Sequence, residues 1–462
     1  MIPDLWYPVA ISGDVTDKKP KGIRRLGEEI VLWRDLDGKV VCQGARCPHK
    51  GAWLGDGRMK GNAIECPYHG FLFNPEGKCT LTPAMGKNAR IPGSLKVPVY
   101  PVREKYGLIW VWWGDDRPES ELPEIIAPRE IRENDRVYDT ISWNKPVHYT
   151  RYIESVQEFY HVTYVHRDHW LNWLDFMFLY GTKKKFGLDG KENYLKATMI
   201  HNHHVETDDD GMTFRYSFDH GEEDNPERSI HYVITFSFPC MVHVETEAFA
   251  TTSWFSPIDE EHTEHIFRVY EFPQLKPILR HEKLRRAMST LQCYLEKYVQ
   301  DPQDYKIMAR QEPRISGGGV NKFIPVDEMN AKFIKTRARL LREARERREG
   351  TVTAGDVSDG MVGDLDMATD EVGPGQPAAL EGKRRTPARS NGRAKGNGQA
   401  NGRTNGHANG SGANGNGSAN GGAATNGSAA TNGSATNGRG NSAAVPAEQE
   451  DNPSGDRAAA RS

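Results

Sequence analysis

The sequence predicts an α+β protein: an N-terminal all-β domain over residues 1–116, an antiparallel-sheet domain with helices over 117–350, and a disordered tail over 351–462. Three observations carry that prediction. Segments near the start are short, rich in β-branched and aromatic residues, and punctuated by Gly, Pro, Asn or Asp, which is the chemistry of strands and turns. Past Pro118, apolar residues recur at both strand and helix periods. Near Gly350 the composition changes abruptly: residues 351–462 contain no Trp, Tyr, Phe, Ile or Cys yet hold 22 of the 46 glycines. Such a segment has nothing with which to offset the entropy of ordering its backbone.

In chain order, EEIVLWRD (28–35), KVVCQG (39–44), AIECPYHGFLFN (63–74) and LKVPVYPVREKYGLIWVWW (95–113) read as strands of the first domain. In the second, strands are expected at 192–206, 212–219, 229–239, 242–252 and 264–271, enough for one broad antiparallel sheet. Leu284, Ala287, Met288, Leu291, Leu295 and Tyr298 recur at helical spacing, and a charged helix over 327–348 is expected to end the fold. The tail repeats NG, NGS and ATNGS and reads as a solvated appendage.

At 462 residues the chain is long enough for two or three domains. Its 60 Lys+Arg against 63 Asp+Glu remove the net-charge argument for a nucleic-acid partner. The opening MIPDLWYPVAIS lacks a basic region followed by an apolar one, and the longest apolar runs, such as LIWVWW (108–113), are too short for a membrane span. Six cysteines are too few for a disulfide scaffold, and two lie beside histidines, so metal chemistry in a reducing, cytoplasmic compartment is expected. Cys42, Cys79, Cys240 and Cys293 read as buried structural thiols. No G-x-G-x-x-G follows a strand, so the chain is not expected to bind NAD(P)H itself.

Two constellations carry chemistry. Cys47-Pro-His49 is followed by sixteen residues and then Cys66-Pro-Tyr-His69, so each of two turns offers one thiolate and one imidazole. Zinc fingers normally keep their cysteines together and their histidines together. Ligands split between two loops suit a 2Fe-2S cluster, with both Cys on one iron and both His on the other. Neutral imidazoles in place of two thiolates raise the potential of such a cluster and make it a one-electron carrier toward an oxygen-activating metal.

The second constellation lies in RYIESVQEFYHVTYVH (151–166), where Glu154, Glu158 and His161 at i, i+4 and i+7 are expected on one helix face, with His166 five residues later. Two imidazoles and a carboxylate form the facial arrangement of non-haem Fe(II) sites. The carboxylate must come from elsewhere, and QDPQDYKIMARQE offers Asp301 and Asp304. His201, His203 and His204 would alternate across a strand rather than converge. The aromatic run at 170–181 reads equally well as pocket lining or as core.

CPHKGA with CPYHGF resembles the Rieske 2Fe-2S motif, and the two histidine-bearing segments resemble those of the Rieske non-haem iron oxygenases. The resemblance covers residues 5 to about 348. It implies cluster ligands Cys47, His49, Cys66 and His69, and a mononuclear Fe(II) held by His161, His166 and Asp304, since the family places Gln seven residues after its Asp and Gln311 stands there. Glu158 occupies the position where most relatives have Asp. The family role of that carboxylate is to bridge an iron-ligating His to a cluster-ligating His of a neighbour, here His161 to His69 of the partner subunit in a closed homotrimer. The implied activity is that of a terminal oxygenase, or α subunit, acting on a small organic substrate with dioxygen. Its electrons come from NAD(P)H through a separate reductase, with or without a ferredoxin. The family's outcomes include dihydroxylation, monooxygenation, demethylation and desaturation. A Rieske electron-transfer protein without catalysis and a zinc-dependent binding module are the rival readings.

Overall fold

The structure is a computed structural model and describes residues 1–125, 127–166, 199–221, 223, 229–317, 319 and 321–349. The tail expected over 351–462 and the aromatic run at 170–181 lie outside the described residues. Among the described residues no helix is long and apolar enough to cross a membrane.

The N-terminal region is all β: β1 (Leu5–Ile11), β2 (Lys21–Arg25), β3 (Glu28–Arg34), β4 (Val40–Gly44), β5 (Arg58–Met59), β6 (Ile64–Glu65), β7 (Leu72–Phe73), β8 (Cys79–Leu81), β9 (Val99–Tyr100), β10 (Val102–Lys105) and β11 (Leu108–Trp113). They form three antiparallel sheets, ordered β2-β3-β4-β9, β5-β6-β7-β8 and β1-β11-β10. The period of two explains why LIWVWW is almost wholly apolar. Leu108, Trp110 and Trp112 face one core, while Ile109 and Val111 face another, so both sides of β11 are covered.

The second region supplies α1 (Arg129–Arg132), β12 (Tyr138–Lys145), α2 (Tyr149–Gln157), a 3₁₀ turn (Phe159–His161) and α3 (Val162–Val165). Then come β13 (Ile200–Thr207), β14 (Thr213–Gly221), β15 (Ser229–Ser237), β16 (Met241–Glu245), β17 (Ala250–Pro257) and β18 (Thr263–Tyr270). A single seven-stranded antiparallel sheet results, ordered β12-β18-β17-β16-β15-β14-β13. The expected strand at 242–252 is two strands, because Thr246 Oγ1 accepts from the amides of Ala248 and Phe249 and turns the chain back. β12 was not expected and forms the edge beside β18.

After the sheet run α4 (Glu282–Leu295), a π-helical turn (Glu296–Gln300), α5 (Asp301–Met308) and α6 (Glu328–Glu349). The helical spacing read from Leu284, Leu291 and Tyr298 does not mark the packed face: these three are 51%, 45% and 67% exposed. α4 instead buries Ser289, Gln292 and Cys293, and Thr290 and Cys293 bond to Asp139 of β12. Small and polar side chains win that face because they reach the strand edge closely and satisfy its polar groups.

The two regions share a core in which Tyr7, Val9 and Val111 join Tyr149, Ile153 and Phe255. The β2–β3 hairpin tip also docks on the sheet, with Leu26 N donating to Pro257 O and Gly27 N to Ile258 O, both at 2.8 Å. Beside it Arg25 pairs with Glu264 at 3.2 Å, both side chains largely buried.

Candidate metal centres

Two turns of equivalent design carry the first cysteine-histidine set. Cys47 lies between β4 and β5, and Cys66 between β6 and β7. In each, the Cys carbonyl accepts from a glycine four residues on (Gly51 N at 2.9 Å, Gly70 N at 3.1 Å). The Cys amide donates to the carbonyl five residues on (Ala52 at 2.9 Å, Phe71 at 2.8 Å). Gly51 and Gly70 adopt φ of 71° and 69°, which a side chain would oppose. Both turns therefore present Cys and His in the same way.

The cysteines lie inward, in a core cluster with Val31, Trp33, Leu54, Ile64 and Phe73, while His49 is exposed and His69 half-buried. The two imidazoles meet at 4.7 Å between ring centroids, and His49 stacks on Phe71 at 4.8 Å. Burial pushes the Cys47 thiol up to about 11, and the neighbouring Cys66 adds to this, against backbone N–H groups of His49 and Lys50 that point at its sulfur. Paired sulfurs on the inside and paired imidazoles on the outside fit a two-metal cluster with different ligands at its two ends.

The second set comes from elements far apart in sequence. His161 Nε2 lies 3.6 Å and His166 Nε2 3.2 Å from Asp304 Oδ1, and the three donor atoms fall within 4.8 Å of one another. Hydrogen bonding assigns the tautomers. His161 Nδ1 lies 2.6 Å from the Glu158 carbonyl, which only accepts, so that nitrogen carries the proton. His166 Nδ1 faces Gln303 Oε1 at 3.4 Å, while Gln303 Nε2 is committed to Val299 O at 2.6 Å. Lone pairs therefore point from both Nε2 atoms toward Asp304 Oδ1, a buried oxygen with no hydrogen-bond donor among the described residues. Three acceptors facing one another repel unless a cation sits among them, and this donor set suits a divalent iron. Burial, first of all, lowers the His161 pKa and favours its neutral ring.

Family models agree with this architecture: one for the Rieske [2Fe-2S] domain matches residues 5–101, and one for the ring-hydroxylating alpha subunit catalytic domain matches residues 151–342. The chain belongs to the Rieske non-haem iron oxygenases. Members of that family carry a 2Fe-2S cluster and a mononuclear iron, and the two donor sets fit those groups. This Rieske oxygenase chain is 34% identical over 175 residues to the phenoxybenzoate dioxygenase alpha subunit of Ectopseudomonas oleovorans, covering 35% of this chain and 42% of that one. It is 31% identical over 166 residues to the 4beta-methylsterol monooxygenase of Methylococcus capsulatus, covering 36% and 44%. The matched part thus spans less than half of these curated relatives. Among solved structures, dicamba monooxygenase bound to 3,6-dichlorosalicylic acid shares the fold, with TM-score 0.57, 19% identity and coverage of 75% of this chain and 99% of that one.

Other residues singled out in the sequence fall differently. The Rieske oxygenase chain does not place Glu154, Glu158 and His161 on one helix face, because α2 stops at Gln157 and Glu158 is extended, with φ −110° and ψ 93°. The break turns His161 onto a separate 3₁₀ turn. Glu154 is a buried structural carboxylate that accepts from Ser316 Oγ at 2.7 Å and pairs with Arg151 at 2.5 Å. The Glu158 carboxylate stands 3.6 Å from His161 Nδ1, too far for a hydrogen bond, while its carbonyl holds that nitrogen. Burial, then the Asp327 carboxylate, pushes Glu158 up to about 8, against the Tyr160 hydroxyl, which itself donates to Asp327 at 2.8 Å. His201 and His204 are separated by a register shift on β13 and do not converge. Cys42, Cys79, Cys240 and Cys293 are all buried. Gln303, which faces His166, was missed, although its place one residue before Asp304 was visible.

Asp301 faces away from the histidine pair. It accepts from Tyr152 Oη at 2.8 Å and pairs with Lys145 at 2.9 Å, tying the first turn of α5 to α2 and β12. Burial alone would raise its pKa, but His265 and then Lys145 outweigh it and hold the carboxyl below its ordinary value. Asp301→Asn is expected to cost about 3–5 kcal/mol in urea unfolding while iron is retained. Because the folded pKa is depressed, the difference from wild type should be constant above about pH 4 and shrink as pH falls through the folded value.

Proposed function

We propose that this chain is the terminal oxygenase of a multicomponent system, oxidising a small aromatic substrate with dioxygen at the expense of NAD(P)H. The observation that carries this reading is the convergence of His161, His166 and Asp304 on one point in a chain that also carries the paired Cys-His turns. When bound, the cluster supplies one-electron relay and the mononuclear Fe(II) activates dioxygen. Cys47, His49, Cys66 and His69 would hold the cluster, with both cysteines buried, His49 exposed and His69 half-buried. His161, His166 and Asp304 would hold the iron. Phe159 and Tyr232, whose rings meet at 4.7 Å, form an apolar wall beside His161 that suits an aromatic ring. Glu158 fixes His161 through its backbone carbonyl, which leaves its carboxyl to meet His69 of the partner subunit in a homotrimer, and a separate reductase, with or without a ferredoxin, delivers the electrons in a cytoplasmic setting.

A second reading, monooxygenation or demethylation of a non-aromatic substrate, is favoured by the 31% identity to a methylsterol monooxygenase. Incubation of reduced holoenzyme with ¹⁸O₂ and a panel of aromatic and steroidal compounds separates the two. Incorporation of both oxygen atoms into one aromatic product is the expected result, and incorporation of one atom supports the second reading. A protein that binds only the two cluster irons, and takes up no oxygen with any compound, is an electron carrier instead.

A further inference from the structure

The inner face of β14 reads Phe214, Tyr216, Phe218 and His220 at a period of two, all buried. One polar ring thus ends an otherwise aromatic row. His220 is 1% exposed, yet among the described residues neither of its ring nitrogens has a hydrogen-bond partner. Buried polar groups are almost always bonded, so an imidazole with both nitrogens unused is a standing cost to the fold. A carbocyclic ring there would avoid that cost, whereas a ligand that supplies the missing partner would offset it.

Its location supplies one. His220 packs edge-on against Tyr232 at 5.9 Å, Tyr232 meets Phe159 at 4.7 Å, and Phe159 lies 6.5 Å from His161. This wall of rings runs from His220 to the candidate iron ligand. Burial first, then the His161 and His201 imidazoles, holds the His220 pKa near 4. At neutral pH the ring is uncharged and offers one donor and one acceptor.

We propose that His220 is a substrate-recognising residue, whose imidazole hydrogen-bonds a hydroxyl or carbonyl group of an uncharged aromatic substrate lying along the Tyr232–Phe159 wall toward His161. The assignment rests on the oxygenase reading of the His161, His166 and Asp304 centre. It makes the site selective for a neutral polar substituent. A carboxylate is disfavoured, because a neutral ring gives it one bond without compensating its charge.

Anaerobic calorimetric titration of the holoenzyme with naphthalene, 2-naphthol and 2-naphthoate tests this, with iron content measured on the same samples. Wild type is expected to bind 2-naphthol about tenfold more tightly than naphthalene, and 2-naphthoate no more tightly than naphthalene. His220→Phe should keep naphthalene affinity within about twofold and lose the preference for 2-naphthol, while His220→Gln, which retains a donor and an acceptor, should restore part of it. Ligand-free His220→Phe should melt at a higher temperature than wild type, since an unbonded polar group has been removed. A His220→Phe protein that melts lower and keeps the preference would make His220 a structural residue and overturn the proposal. So would preference for 2-naphthoate, equal affinity for all three probes, or binding of none. Wild type lacking the third iron would reject the oxygenase reading alone, because the binding comparison needs no turnover.

Discussion

Asp304→Ala is expected to leave the protein folded with its cluster absorption intact, and to lose both the mononuclear iron and turnover. Among the described residues, Asp304 Oδ1 is the one carboxylate oxygen that faces both His161 Nε2 and His166 Nε2, at 3.6 and 3.2 Å. Two neutral imidazoles alone provide neither the charge nor the third ligand that an Fe(II) site of this kind uses. Because loss of an outer-shell partner already costs about 10–100-fold in metal affinity or activity, removal of a direct ligand should cost more than about 100-fold. His161→Ala should behave in the same way. The control is Asp301, three residues earlier on α5, whose carboxylate is committed to Tyr152 and Lys145. Iron analysis decides between them: loss of iron from Asp301→Ala with retention in Asp304→Ala would reverse the assignment.

His69→Ala should abolish the absorption and EPR of a mixed Cys/His cluster, with turnover falling below detection for want of electrons. The side chain is half-buried at the tip of its turn, so the variant should remain folded. Cys66→Ala, by contrast, removes a buried member of the core cluster and should also lower stability. An unchanged spectrum in His69→Ala would show that this imidazole is no ligand.

The parts of the fold that were legible in the sequence are those set by local chemistry. Each Cys-His turn is closed within five residues by its own backbone and a glycine, so the motif and the geometry are nearly one fact. The alternation in β11 and the apolar runs of the sheet were visible for the same reason. What was hidden depends on neighbours remote in sequence. Nothing in RYIESVQEFYH announces that the helix stops at Gln157, because Glu158 and Phe159 carry no breaker, and the stop is imposed by what packs around them. The apolar stripe of α4 pointed to one face as the packed one, but the polar edge of β12 claimed the other. His220 looks unremarkable beside the clustered histidines at 201–204, and only the structure shows its two nitrogens unbonded.

The π turn at Glu296–Gln300 bears on how this centre tolerates changes in chain length. A π turn holds one residue more than the α-helical turn it replaces, so every side chain beyond it is rotated by about 100° relative to an uninterrupted helix. α4 upstream is anchored to β12 through Thr290 and Cys293, whereas Asp301 and Asp304 lie immediately downstream. Deleting any single codon of this five-residue stretch, whatever amino acid it encodes, would let the helix run straight and carry the Asp304 carboxylate away from the histidines while α4 stayed docked. The register of the site thus depends on a count of residues as well as on their identities. A substitution at exposed Tyr298 should therefore be tolerated far better than an in-frame deletion in the turn.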